Sequence, residues 1–127
     1  MRVLLVEDNP DHAELVQVAL ERVGASTVCV VSDVASAQEV LEGEEVDLVL
    51  LDLKLPKVDG FSLLSWVRAR PRWSGLPVVV LTTSMHAKDM ERAYAEGASS
   101  YVVKPTRFEE LVRTMHQVVC LGSVEGR

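Results

Sequence analysis

The chain has 127 residues, 48% of them hydrophobic, which is enough apolar material for one domain with one core. Its formal net charge of −6 argues against nucleic-acid binding, because phosphate backbones are bound by basic surfaces. No apolar stretch approaches the roughly 18 residues that span a bilayer, and the N-terminus enters a strand directly, so neither a membrane span nor a signal peptide is expected. The two cysteines, Cys29 and Cys120, lack metal-type or redox-type spacing, which indicates reduced thiols in a cytoplasmic protein.

Short runs of Val and Leu alternate with amphipathic segments along the chain, a pattern typical of βα units around a parallel sheet. The strand runs are apolar without alternation, so helices should cover both faces of the sheet. Asn9-Pro10 favours a helix start, with Asn as the cap and Pro at the first helical position. We predict one domain over residues 1–121 and a short tail over 122–127. Strands are predicted at about 2–6, 27–31, 47–51, 77–81 and 100–103, and helices at about 10–23, 34–42, 60–70, 86–96 and 107–121.

Polar residues follow four of these strands at the point where each strand ends. If the strands are parallel, three carboxylates, a hydroxyl and an ammonium meet at one edge of the sheet. That edge is where open α/β sheets bind ligands. The residues concerned are Glu7, Asp8, Asp52, Thr82 and Lys104.

Three converging carboxylates repel one another and raise at least one pKa unless a cation lies among them. We expect no basic residue between them, and hard oxygen ligands with room for water suit Mg²⁺. The hydroxyl and the ammonium are donors that a phosphoryl group needs on its other oxygens. Taken singly, each group has a simpler interpretation. Glu7-Asp8 is then a solvated rim, Thr82 a helix cap, and Lys104-Pro105 a solvated lysine in a tight turn or before a cis peptide.

The order of these groups along the chain resembles the receiver domains of two-component response regulators, over nearly the whole length. The resemblance implies an α/β fold, the flavodoxin-like (βα)5 three-layer sandwich with five parallel strands in the order 2-1-3-4-5. The matching segments are Leu5-Val6-Glu7-Asp8-Asn9, Leu51-Asp52-Leu53 with Leu55-Pro56 and Asp59-Gly60, Leu81-Thr82-Thr83-Ser84, Gly97-Ala98, and Tyr101-Val102-Val103-Lys104-Pro105.

The resemblance also implies that Asp52 accepts a phosphoryl group from a phosphohistidine of a partner histidine kinase. Glu7, Asp8, Asp52 and the backbone carbonyl of Lys54 would hold Mg²⁺. In-line transfer needs charge neutralisation and positioning more than acid–base chemistry, so these residue types agree with the implied role. The chain would be a single-domain response regulator that signals through phosphorylation-dependent protein–protein interaction, not a turnover enzyme.

Further roles follow from the same resemblance. Thr82 and Lys104 would bind phosphoryl oxygens, and Tyr101 would be the aromatic switch residue. The alternative for Tyr101 is a half-buried tyrosine whose hydroxyl is solvated. Thr83 stands where the family usually has Ala or Gly, and Lys54 and Ser84 lack the acid or amide that often orients a hydrolytic water, which favours a long-lived phosphorylated form.

Within the family, three segments look most like single-domain regulators paired with phytochrome-type histidine kinases, which makes a bacteriophytochrome the expected partner kinase. These segments are Asn9-Pro10-Asp11, Leu55-Pro56-Lys57 and Leu81-Thr82-Thr83-Ser84.

Three other functions compete with this interpretation. A pseudo-receiver that binds partners without phosphorylation is disfavoured by the full set of acids, hydroxyl and lysine. An aspartyl phosphatase of the haloacid type would place its nucleophile after the first strand with a second Asp two residues later, whereas Lys54 lies two residues after Asp52. A nucleotide-binding protein of this fold would need a phosphate loop after the first strand, where Glu7-Asp8 would repel the ligand.

The last helix is expected to form a homodimer together with the last strand. Its predicted buried stripe consists of Phe108, Leu111, Val112, Met115 and Val119. Residues 118–121 are all apolar, and four consecutive residues cover most of the helix circumference, so some must face outwards. Gln117, Cys120 and Leu121 are assigned to this outer stripe, beside the edge strand that carries Tyr101. Exposed apolar patches usually mark interfaces. The alternative is a frayed C-terminal turn with single exposed apolar residues.

Overall fold

The computed structural model describes residues 1–25 and 27–125, and of residues 122–125 the backbone alone. Strands and helices alternate, and all strand pairings are parallel in one sheet of order β2-β1-β3-β4-β5. The predicted flavodoxin-like topology is therefore confirmed. The strands are β1 (Arg2–Val6), β2 (Thr27–Val31), β3 (Leu48–Leu51), β4 (Val78–Thr82) and β5 (Ser100–Val103). The helices are α1 (Pro10–Arg22), α2 (Val34–Gly43), α3 (Gly60–Arg68), α4 (Ala87–Ala95) and α5 (Phe108–Glu125), with a short 3₁₀ turn at Pro71–Trp73.

The sheet divides the apolar core into layers because alternate residues of a strand point to opposite faces. One layer packs under α1 and α5, and its strand residues include Val3, Leu5, Leu48 and Leu50. The other packs under α2 and α3, and its strand residues include Leu4, Val6, Val49 and Leu51. All five residues of β4 are buried, whereas the edge strands β2 and β5 are partly exposed. This three-layer arrangement explains why the strand runs lack polar alternation.

Local capping interactions start the helices abruptly at the carboxyl edge of the sheet. The Asn9 side chain accepts hydrogen bonds from the backbone N–H groups of Asp11 (2.9 Å) and His12 (3.2 Å), and Pro10 occupies the first position of α1. The predicted cap at Asn9 is thus confirmed. Asp33 accepts from the backbone N–H of Ser36 at 2.7 Å and caps α2 in the same way. These caps keep the β1–α1 and β2–α2 connections short.

Gly60, the first residue of α3, lies against the backbone that carries Asp52. A Cβ atom at this position would lie 2.7 Å from the carbonyl oxygen of Asp52 and 2.9 Å from Cα of Leu53. The Gly60 N–H also donates to the Leu53 carbonyl oxygen at 3.3 Å. Only glycine allows this approach, so Gly60 fixes the height of α3 relative to the end of β3.

The helix α5 differs from the prediction in two respects. It continues to Glu125, past position 121, because a single glycine such as Gly122 costs only about 1 kcal/mol inside a helix. Gly126 and Arg127, the rest of the predicted tail, lie outside the described residues. The assignment of Leu121 to an outer stripe is wrong, because this side chain packs against the core layer under α1 and α5.

The buried stripe of α5 is partly as predicted. Leu111 and Met115 are buried, Phe108, Val112 and Val119 are partly buried, and Val118 is a further buried member. Cys120 is exposed, and both cysteines are free thiols. Along the described chain, no helix combines the length and the apolar character needed to cross a bilayer.

Candidate functional site

Three carboxylates meet at the carboxyl edge of the sheet, as the strand ends predict. Glu7 and Asp8 follow β1, and Asp52 follows the neighbouring strand β3. The Asp52 N–H donates to the Val6 carbonyl oxygen at 3.0 Å, which continues the ladder between these strands as far as Asp52. One oxygen of each carboxylate lies within 4.8 Å of the others. Glu7 and Asp52 are buried and Asp8 is exposed, so the cluster opens to solvent on one side.

A lysine lies between two of these carboxylates, which contradicts the expectation that no basic residue does. The Lys104 ammonium donates to Asp52 Oδ2 at 3.1 Å and to Glu7 Oε1 in a very short contact. Its side chain is 10% exposed, so it is not a solvated lysine. Two buried carboxylates need a positive charge beside them, because an unpaired buried charge is strongly unfavourable. The peptide bond before Pro105 is trans, since the described chain has no cis peptide.

The carboxyl group of Glu7 has a raised pKa of about 7. Burial is the main cause, followed by a hydrogen bond with Asp52, while the Lys104 ammonium acts in the opposite direction. In the absence of a further cation, Glu7 therefore holds a proton over much of the range below neutral pH. A divalent cation at this cluster would favour the ionised carboxylate.

The donor set fits a hard divalent cation. Carboxylate oxygens are the ligands that Mg²⁺ prefers, and the exposed position of Asp8 leaves room for the water that Mg²⁺ usually retains. The Lys54 N–H donates to Asp52 Oδ1 at 3.1 Å, which orients that carboxylate. Its carbonyl group as a metal ligand remains a prediction.

The hydroxyl of Thr82 is fully buried and takes part in the turn after β4. Thr82 Oγ1 accepts from the Ser84 N–H at 3.3 Å, and the Thr82 carbonyl oxygen accepts from the Lys104 N–H at 2.7 Å. Thr82 is not the cap of α4, because that position belongs to His86. The second bond ties the turn to the segment that carries Lys104.

Tyr101 is buried between the sheet and α4, and its hydroxyl donates to the Ser84 carbonyl oxygen at 3.0 Å. The alternative of a half-buried ring with a solvated hydroxyl is therefore wrong. The ring packs with Leu53, Phe61, Val80 and Ala93. The Tyr101 N–H, on the open side of the edge strand β5, donates to the Tyr94 hydroxyl of α4 at 3.1 Å.

The sequence did not predict three further contacts in and around the site. His12 Nδ1 lies 3.1 Å from the Lys104 ammonium, and its position two residues after Pro10 on the first turn of α1 is the signal that could have found it. The Ser84 hydroxyl donates to Asp89 Oδ2 at 2.5 Å and so fixes the turn to α4. At the rim, the Lys54 ammonium donates to Thr83 Oγ1 at 3.4 Å.

The fold and this edge define a flavodoxin-like α/β domain with an acidic cluster and a buried lysine. Residues 3–116 match the Response regulator receiver domain family, and the chain belongs to this family of two-component systems. A curated relative is the probable methanogenesis regulatory protein FilR2 of Methanothrix harundinacea, which is 42% identical over 91% of this chain and 79% of the relative.

Two solved structures show the same fold. The Mn²⁺-bound form of response regulator Rcp1 has a TM-score of 0.81 and 30% identity, covering 92% of this chain and 90% of that chain. The phosphorylated cyanobacterial phytochrome response regulator RcpA has a TM-score of 0.82 and 31% identity, covering 92% and 89%. Receiver domains related to this chain thus include members with a bound divalent metal and members in a phosphorylated state.

Proposed function

We propose that Asp52 accepts a phosphoryl group from a phosphohistidine of a partner histidine kinase, in a reaction that depends on Mg²⁺. The observation that carries this proposal is the hydrogen bond from the Lys104 ammonium to Asp52 Oδ2 beside two further carboxylates. This arrangement holds one carboxylate for attack and brings positive charge to the place where phosphoryl oxygens would lie. The relative RcpA, described as phosphorylated, supports the same chemistry.

In the proposed step an oxygen of Asp52 forms a bond to phosphorus while the bond between phosphorus and the kinase imidazole nitrogen breaks. The electron pair of that bond leaves with the imidazole. Mg²⁺ held by Glu7, Asp8, Asp52 and the Lys54 carbonyl would neutralise charge on the phosphoryl oxygens. The Lys104 ammonium and the Thr82 hydroxyl would donate to the remaining oxygens. As the Thr82 side chain turns towards the phosphoryl group, it would release the Ser84 N–H, from which Oγ1 accepts at 3.3 Å.

Signalling is proposed to follow from this release. Phosphorylation changes the contacts of Thr82, the turn at Ser84 adjusts, and the Tyr101 hydroxyl is bonded to that same turn. The face formed by α4 and β5 would change as a result. On this account the chain is a switch that acts through protein–protein contacts and not a turnover enzyme. The pseudo-receiver alternative has no supporting observation, since all the groups needed for phosphoryl transfer are present.

The kinase is proposed to dock on α1, beside the mouth of the site. Leu15 and Val18 on this helix are about half exposed, and Leu15 borders a cavity that also reaches Lys104 and Pro105. An apolar surface next to the acceptor suits a partner helix that delivers a phosphohistidine. The relation to RcpA favours a phytochrome-type kinase, and a cytoplasmic location and a single-domain regulator remain part of the proposal.

A homodimer through α5 and β5 completes the proposal. Val103 is exposed on the edge strand β5, and Met90 and Tyr94 of α4 and Cys120 of α5 are exposed on nearby elements. These are the exposed apolar side chains that such an interface would cover, whereas Leu121 belongs to the core.

The test of phosphoryl acceptance compares wild type with Asp52→Asn, and with Asp47→Asn as a matched control. Asp47 accepts from the Arg2 N–H at the opposite end of the sheet. Labelling by a phosphorylated histidine kinase or by acetyl phosphate should disappear in Asp52→Asn and persist in Asp47→Asn. Labelling of Asp52→Asn at the wild-type rate would show that another residue is the acceptor.

A further inference from the structure

A histidine that the proposed transfer does not use lies beside the Lys104 ammonium. His12 Nδ1 is 3.1 Å from Lys104 Nζ and 3.9 Å from Glu7 Oε1. The His12 side chain is 41% exposed, whereas that of Glu7 is 2% exposed. One edge of the imidazole therefore faces the buried ion pairs, and the ring borders a cavity of about 300 Å³ between α1 and residues 104–106.

The number of N–H groups on the ammonium decides whether His12 Nδ1 donates or accepts in this contact. A lysine ammonium has three N–H donors and no lone pair. Its three neighbours are Glu7 Oε1, Asp52 Oδ2 and His12 Nδ1. His12 Nδ1 must accept, which leaves the proton of the neutral ring on Nε2. The direction of the Lys104 ammonium is thus set by three contacts instead of two.

The backbone of His12 is itself fixed. Its N–H donates to the Asn9 side chain at 3.2 Å, within the cap that starts α1 immediately after β1. The imidazole is therefore presented to the site from a rigid helix terminus. Because the backbone is already ordered, only the side-chain torsions of His12 must be fixed for its ring to position a neighbouring group.

The three acceptors differ in how much free energy is lost when each of them no longer contacts the ammonium. Glu7 and Asp52 are buried carboxylates, and a buried charge that loses its partner is strongly destabilising. His12 is neutral in this contact and half exposed, so its ring can turn towards water in the adjacent cavity. His12 is consequently the partner that Lys104 exchanges most easily for a new acceptor.

We propose that His12 is a positioning residue for Lys104: it holds one N–H of the ammonium and yields it to a phosphoryl oxygen when Asp52 is phosphorylated. The proposal rests on the proposed function, because it requires Lys104 to bind that oxygen. Without His12, one donor of Lys104 faces the cavity and the ammonium loses part of its fixed direction. Phosphoryl acceptance then becomes slower while the fold is retained.

The test measures the initial rate of Asp52 phosphorylation by phosphoramidate with saturating Mg²⁺, at one fixed pH for all variants. His12→Leu should slow the rate by about tenfold, the effect of losing one hydrogen bond to a charged group. His12→Asn should recover most of it, since the Asn side-chain oxygen can accept in place of Nδ1. His116→Leu, which alters an exposed histidine of α5, is the matched control and should react as wild type. The proposal is overturned by a wild-type rate in His12→Leu, or by His12→Asn as slow as His12→Leu.

A second readout needs neither Mg²⁺ nor phosphate. ¹⁵N NMR of the imidazole should show an unprotonated Nδ1 in the metal-free protein, with a signal that shifts in Lys104→Met. A protonated Nδ1, or an identical signal in both proteins, overturns the contact. A wild type that no donor phosphorylates overturns the proposed function and this proposal with it. A wild type that is phosphorylated beside an unaffected His12→Leu overturns the role of His12 alone.

Discussion

The side chains of Thr82 and Tyr101 are both hydrogen-bonded to the backbone of Ser84. Thr82 Oγ1 accepts from the Ser84 N–H, and the Tyr101 hydroxyl donates to the Ser84 carbonyl oxygen. Any movement of Thr82 towards Asp52 must therefore change the geometry of the turn that also holds Tyr101. The proposed coupling between Thr82 and Tyr101 would need only this one residue of backbone.

Replacement of Thr82 by alanine should separate phosphorylation from the response. Thr82→Ala should still be phosphorylated, about tenfold more slowly because one hydrogen bond to a phosphoryl oxygen is lost. The amide shifts around Tyr101 on addition of beryllofluoride should be smaller than in wild type, and Thr82→Ser should restore them. Equal shifts in wild type and Thr82→Ala would contradict a coupling through Ser84.

Mg²⁺ should raise the melting temperature more at pH 8 than at pH 5. The pKa of Glu7 is raised from 4.5 to about 7, so the metal-free native state binds more protons than the unfolded state between these values. The corresponding stabilisation is complete below about pH 4.5 and is lost as the pH rises through about 7. Mg²⁺ would bind the ionised cluster of the native state. At a concentration 100 times its Kd it would raise the free energy of unfolding by about 2.7 kcal/mol.

Differential scanning calorimetry in EDTA and in Mg²⁺ across this pH range checks the prediction. Glu7→Gln is the matched variant, and without this titrating group its metal-free stability should fall less between pH 5 and pH 8. The same Mg²⁺-induced increase at pH 5 and at pH 8 in the wild type would be the contrary result.

Gly60→Ala should destabilise the fold and disturb the acceptor together. The added methyl group would lie 2.7 Å from the Asp52 carbonyl oxygen, and relief of such a contact costs about 1–3 kcal/mol. Urea unfolding measures the loss, and the rate of phosphorylation should fall as well. Gly75→Ala is the control, because no atom lies within 4 Å of its added Cβ. If the two variants were equally stable, the predicted steric clash of a methyl group at position 60 would be wrong.

The homodimer can be tested on β5. Val103→Lys places a charge on the exposed edge and should lower the association measured by sedimentation velocity, with and without beryllofluoride. Val58→Lys, at another exposed valine in the β3–α3 loop, should leave association unchanged. A wild type that stays monomeric at high micromolar concentration excludes the dimer.

The strands were predictable because each is a short apolar run closed by a polar residue, and their parallel direction follows from the alternation with helices. The strand order was implied by the family resemblance alone. The same strand ends located Glu7, Asp8, Asp52, Thr82 and Lys104 at one edge. Contacts made by long side chains were not predictable. The Lys104 ammonium lies between Glu7 and Asp52 because two buried carboxylates need a positive charge beside them. The position of Lys104 at the end of a strand does not indicate which groups its long side chain contacts.

Other errors arise from geometry that no local pattern encodes. The outward assignment of Leu121 placed it on one stripe with Gln117 and Cys120, whereas its side chain packs against the core. The role of Ser84 depends on the conformation of the turn after β4, which brings its backbone to both Thr82 and Tyr101.

The side chains of Lys104 and Glu7 are hydrogen-bonded although 97 positions separate the two residues in the chain. The carboxylates all precede β4, while the ammonium that pairs with them arrives on the segment after β5, the last strand to be synthesised. A chain still emerging from the ribosome would contain Glu7 and Asp52 before the Lys104 ammonium that pairs with them had been added. On the proposed function, acceptance of a phosphoryl group would therefore require the complete sheet, because a copy that lacks the segment after β5 has no Lys104 beside Asp52.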